Sequence, residues 1–89
     1  MMVVDIGNTN IVIGCYSKKK LILIYRLKTH EKTITQKLDK KFNLKKISKL
    51  NLDYKKCIIS SVSSITTNQI IKFFKKIKFN ILNIDVINI

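Results

Sequence analysis

Eighty-nine residues, 46% of them apolar, make one small domain that buries about two-thirds of its unfolded surface, and they exclude a disordered chain. Eighteen cations face five carboxylates, for a net charge of +13, but seventeen of the cations are lysines spread along the chain. Arginine forks and aromatic stacking platforms are lacking, so specific nucleic-acid recognition is disfavoured and only loose attraction to polyanions is expected.

No run of about 18 uncharged apolar residues marks a membrane span. No basic region followed by an apolar stretch marks a secretory leader, so the expected location is cytoplasmic and no membrane partner is implied. Cys15 and Cys57 lie in apolar runs and read as buried thiols rather than a disulfide. With His30 at an unrelated spacing they form no zinc set.

In chain order, Met2–Ile6 reads as a buried strand and Ile11–Tyr16 as a second. Gly7-Asn8 between these β-branched runs is a hairpin signal. Lys20–Lys28 follows a short turn around Ser17–Lys19 and completes an antiparallel meander. The period then changes: Ile34, Leu38 and Phe42 stand four apart, one stripe of a helix, with Thr33 as N-cap and Gln36 completing a fair capping box. Leu44–Lys56 reads either as a further helical turn or as a linker. Cys57–Val62 is a short buried strand. Ile70, Phe73, Phe74 and Ile77 share one face of an amphipathic helix capped by Thr66 or Thr67, and Asn80–Ile89 closes the chain as a strand. The order is β-β-β-α-β-α-β, and the two helical connections favour parallel pairing of the last two strands.

Asp5 is the unusual residue. It stands inside a run of valine and isoleucine, where a buried carboxylate without a partner costs about 1–3 kcal/mol or more. Val3, Asp5 and Gly7 share one face of the first strand. Facing a cleft, Asp5 holds hydrated Mg2+, a hard cation that prefers oxygen ligands. Gly7 then turns the chain with positive φ, and Asn8, Thr9 and Asn10 surround phosphate oxygens. The plainer alternative is an ordinary hairpin with a solvent-facing aspartate, because D-x-G-x-T is a short pattern.

"DIGNTN" followed by "IVIGCY" resembles the first phosphate motif of the superfamily of acetate kinase, sugar kinases, heat-shock ATPases and actin. The wording is most similar to type III pantothenate kinase. "YRLKT" (Tyr25–Thr29), Thr33 at the opening of the first helix and "IISSV" (Ile58–Val62) follow in the family's order. The resemblance spans essentially all 89 residues and about the first third of such an enzyme. Departures are Thr35-Gln36-Lys37 in place of D-E-Y, and Ser63-Ser64 in place of V-P.

The resemblance implies a single N-terminal ribonuclease-H-like domain over residues 1–89, a mixed five-stranded sheet with helices on its faces, and no second domain. It implies transfer of the γ-phosphoryl of ATP to pantothenate in coenzyme A biosynthesis. Asp5 would position Mg2+, and Ile6, Gly7, Asn8, Thr9, Asn10, Ile11 and Val12 would form the nucleotide-binding segment. The family's catalytic base lies in a G-[AP]-D-R segment that does not occur in this sequence, so no catalytic residue is assigned. The monovalent cation, K+ or NH4+, belongs to the missing part as well. The expected polypeptide is therefore not active alone. It is completed by a second chain or a homodimer, or else is a noncatalytic nucleotide-binding module or a decayed remnant; a basic nucleic-acid-binding protein is the remote alternative.

The remaining candidates have plainer readings. Asp39 and Asp53 lie in solvated lysine-rich stretches, Asp85 in the last strand, and His30 in a loop. Ser60, Ser61 and Ser63 end the fourth strand and cap the next helix in preference to touching a ligand. Phe73-Phe74 is a core pair and Lys18–Lys20 a solvated turn.

Overall fold

The structure, a computed structural model, describes residues 1–62 and 64–85. Its elements are β1 (Met2–Ile6), β2 (Asn10–Ser17), β3 (Lys20–Lys28), α1 (Ile34–Phe42), α2 (Leu44–Leu50), β4 (Lys56–Ser61), α3 (Ser64–Lys76) and β5 (Asn80–Asp85). One five-stranded sheet runs in the order β3-β2-β1-β4-β5. The first three strands pair antiparallel, while β4 joins β1 in parallel and β5 joins β4 in parallel. This mixed sheet with its intervening helices is the ribonuclease-H-like arrangement of an actin-like ATPase N-terminal domain.

Alternation along the strands builds the core. Met2, Val4 and Ile6 of β1, Ile11, Ile13 and Cys15 of β2, and Cys57 and Ile59 of β4 are buried on one face. Against them pack Ile34, Leu38 and Phe42 of α1, Ile47 of α2, and Ile70, Phe73 and Phe74 of α3. Phe42 and Phe74 are fully buried and lie 6.3 Å apart, and Tyr25 meets Phe42 edge-on at 5.6 Å. Each such ring contributes about 1.5–3 kcal/mol by burial, with a further ~0.5–1.5 kcal/mol for each ring pair. The opposite sheet face carries Asp5 and the exposed side chains of Ile24, Arg26 and Leu82.

Local signals explain the element ends. The stretch after α1 is helical because Asn43 accepts a hydrogen bond from the Lys46 amide at 2.9 Å, an N-cap, and Asn51 ends α2 in the left-handed region at φ 53°. Thr33 occupies the N-cap position of α1 but makes no side-chain cap bond. The third helix starts at Ser64, so Thr66 and Thr67 are buried in its first turn rather than capping it. It ends in a Schellman motif: Phe79 N donates to Phe74 O at 2.9 Å, Lys78 N donates to Lys75 O at 3.0 Å, and Lys78 is left-handed at φ 71°. Residues 86–89, expected in the last strand, and Ser63 lie outside the described residues.

Both cysteines are free and buried. Burial pushes the Cys15 thiol up to about 11 and the Cys57 thiol up to about 12.

Candidate functional site at the carboxyl end of β1

Asp5 is exposed on the bare sheet face. Register fixes its neighbours: Asp5 pairs with Val12 of β2 and with Ser60 of β4, and Val12 pairs in turn with Arg26 of β3. One row across the sheet therefore reads Arg26, Val12, Asp5, Ser60, with all four side chains on the same side. Two strand spacings, about 10 Å, separate the Asp5 and Arg26 backbones. The two charges make no ion pair with each other; among the described residues the ion pair is Lys37 with Glu31.

Asp5 and Arg26 line a shared open cleft of about 270 Å³ with Val3, Val12, Gly14 and Tyr16. Gly14 keeps the floor low, because a Cβ there would come within 3.2 Å of the Tyr16 ring and 3.3 Å of Leu21. Asp5 is exposed and borders this cleft, whose other walls include the aliphatic Val3, Val12, Leu21 and Ile24 and none of the Gly7–Asn10 bend.

The bend follows directly. Gly7 N donates to Asn10 O at 2.9 Å and closes the loop, while Asn8, Thr9 and Asn10 are exposed. Asn10 Nδ2 donates to Thr9 Oγ1 at 3.1 Å. The expected positive φ at Gly7 is corrected: no glycine is left-handed. Gly7 is needed for close approach instead, since a Cβ would lie 3.3 Å from Asn10 O. Left-handed residues fall at Lys18 and Lys19 in the β2–β3 turn. Ile6 and Ile11 are fully buried on the core face, so they present main chain to the bend, whereas Val12 borders the cleft.

Parallel pairing places the end of β4 beside this bend, where Val62 N donates to Ile6 O at 3.1 Å. Ser60 lies in β4 next to Asp5 rather than at a helix end. Thr29, just past β3, ties the parts together: its hydroxyl donates to Gly7 O at 2.8 Å and its amide to Thr9 O at 3.0 Å.

Elsewhere, Asp53 is not merely solvated, because its Oδ2 accepts from the Lys18 amide at 2.6 Å and props the β2–β3 turn. His30 and Asp39 are exposed outside the cleft. Among the described residues no three His, Cys, Asp or Glu side chains converge as a metal cage. Asp5 fits instead the sparse protein share of a magnesium site, one carboxylate with the remaining ligands from phosphate and water. Sequence reading missed Arg26 and Thr29 as site residues. The signal for Arg26 was the β1–β2–β3 register, which aligns it with Asp5 once the hairpins are paired.

No helix of the described residues is long and apolar enough to cross a membrane. No curated protein matches the chain. The family model described as type III pantothenate kinase matches residues 1–87. A kinase family implies ATP as the phosphoryl donor. The chain belongs to the type III pantothenate kinase family and corresponds to its N-terminal part.

Proposed function

We propose that residues 1–89 form one cytoplasmic ribonuclease-H-like domain that supplies the nucleotide-phosphate wall of a pantothenate kinase. The carrying observation is the exposed Asp5 carboxylate at the end of β1, two residues before the closed Gly7–Asn10 bend. In this reading Asp5 holds Mg2+, which neutralises phosphate charge when bound. Asn8, Thr9 and Asn10 donate to phosphate oxygens, and the main chain of Ile6, Gly7, Ile11 and Val12 shapes the bend. Phosphoryl transfer forms a bond from the pantothenate hydroxyl oxygen to the γ-phosphorus, breaks the bond to the β,γ-bridging oxygen and releases ADP.

The hydroxyl proton needs a base, and the cleft beside Asp5 holds no second carboxylate, histidine or cysteine among the described residues. Base, monovalent-cation site and second wall come from outside residues 1–89. Loss of a base costs about 10²–10⁴-fold in rate. A noncatalytic nucleotide-binding module is the second reading, favoured by that same cleft composition.

Calorimetry with Mg·ATP and a coupled turnover assay test the proposal. The 89-residue polypeptide binds Mg·ATP, Asp5→Asn weakens binding about tenfold or more without loss of helix or sheet signal, and pantothenate-dependent turnover is absent. Equal binding by Asp5→Asn overturns the assignment of Asp5, and turnover by the polypeptide alone overturns the need for a second domain.

A further inference from the structure

A second cleft, of about 720 Å³, runs beside Tyr25–Lys28 at the free edge of the sheet. Six cations line it: Arg26 and Lys28 of β3, Lys37, Lys40 and Lys41 of α1, and Lys46 of α2. Its carboxylate, Glu31, is already engaged by Lys37. The Lys41 ammonium sits 5.5 Å over the Tyr25 ring, and the Lys46 ammonium donates to the Lys40 carbonyl. Arg26, Lys28 and Lys40 make no ion pair with the described residues. By comparison the Asp5 cleft has one cation and one carboxylate.

The wall of this cleft is an unpaired strand edge. Thr29 N donates to Thr9 O, which sets the phase of the β2–β3 ladder. Leu27 and Tyr25, in step with Thr29, turn their main-chain groups toward β2, so Arg26 and Lys28 turn theirs outward into the cleft. That edge offers amide donors and carbonyl acceptors alternately. A phosphate chain satisfies the donors and is repelled by the carbonyls. A peptide strand satisfies both.

We propose that this edge binds an extended acidic peptide by adding it to the sheet as a strand beside β3, its carboxylates met by Arg26 and Lys28 on one face of the sheet or by Lys40 of α1 on the other. The lined stretch, four residues at about 3.3 Å each, is roughly 13 Å long and takes a short segment. A second copy of this chain is an unsuitable strand donor, since each copy carries +13 and the edge itself bears lysines. The cleft shares Asn10 with the proposed phosphate bend and Arg26 with the Asp5 cleft.

Fluorescence anisotropy with a labelled peptide of alternating Glu and Val tests the proposal on the unmodified chain. The peptide binds in low salt and weakens as salt rises. The same peptide methylated at every backbone amide loses about tenfold or more in affinity, the equivalent of about 1.4 kcal/mol, and the Lys-Val analogue does not bind. Lys28→Glu combined with Lys40→Glu, both at exposed positions, weakens binding by a similar factor with unchanged circular dichroism. Equal binding of the methylated peptide overturns the strand-pairing claim whether or not the double variant folds. So does displacement by inorganic tripolyphosphate or oligothymidylate at lower concentration than by unlabelled peptide, or failure of the acidic peptide to bind in low salt.

Discussion

The Thr29 hydroxyl donates to the Gly7 carbonyl at 2.8 Å, fastening the end of β3 to the bend between β1 and β2. Thr29 is 1% exposed, and the Thr66 hydroxyl of α3 donates to the Thr29 carbonyl at 3.4 Å. One buried threonine thus joins the bend, the third strand and the third helix. Thr29→Val keeps the shape and removes the donor, leaving the Gly7 carbonyl without that partner at a cost of about 1–3 kcal/mol. Thr29→Ser keeps the bond and loses about 0.8 kcal/mol for one methyl. Urea unfolding ranks the two. Under conditions where both are fully folded, Mg·ATP affinity falls further for Thr29→Val than for Thr29→Ser, because only the former frees the bend.

Gly7→Ala tests close approach against backbone freedom. The φ at Gly7 is not left-handed, so alanine meets no dihedral penalty there, only a Cβ at 3.3 Å from Asn10 O. The Asn10 carbonyl moves by a few tenths of an ångström, and the Gly7 N–H bond to it lengthens. The expected loss is about 1 kcal/mol, a fall in melting temperature of roughly 4–8 °C for a domain of this size. A loss several times larger would indicate that the bend requires a glycine-only conformation.

The strands were legible because β-branched runs bounded by turn residues have few other solutions, and the parallel order followed from two helical connections. The seven-residue α2 was not, since it buries the single side chain Ile47 and is defined by Asn43 and Asn51 at its ends. The start of α3 was misread because Thr66-Thr67 looks like a cap in sequence, while the Thr66 hydroxyl is spent on Thr29, 37 positions away. Asp53 is similar: its partner, the Lys18 amide, is 35 positions distant and leaves no local signature. At the site, Asp5 and the bend were visible from residue type and spacing. Arg26 was not, because its place opposite Asp5 depends on the exact pairing of two hairpins, one with a bulge between Cys15 and Tyr16.

Lys78 holds the left-handed C′ position of the Schellman motif that ends α3, where glycine is the unstrained residue. The Phe79 ring packs against Phe74 at 5.3 Å and holds Lys78 in that conformation. Lys78→Gly removes a left-handed strain of about 1–2 kcal/mol and adds roughly 0.5–1 kcal/mol of unfolded-chain entropy. The net expectation is stabilisation of up to about 1 kcal/mol in urea titration. A destabilised Lys78→Gly would mean that the lysine side chain contributes more than its backbone costs.

The two buried thiols give the fold an alkaline limit. Their ordinary value of 9.0 is pushed up to about 11 at Cys15 and about 12 at Cys57, in both cases mainly by burial. A raised value in the folded chain means that folding favours the neutral thiol. Its contribution is complete below pH 9 and is lost as pH climbs from 9 toward 11–12, where the unfolded chain ionises first. The thiol contribution is isolated by comparison with the double variant Cys15→Ala, Cys57→Ala, which has a constant cavity cost but no thiol to titrate. Plotted against pH, the stability difference between the parent chain and that variant is flat to pH 9 and then shrinks. Thiol labelling at pH 8 without denaturant is correspondingly slow at both cysteines, and it accelerates only under conditions that open the sheet. Rapid labelling of either residue at pH 8 would contradict the burial of the Cys15–Met2–Cys57 row beneath the helices.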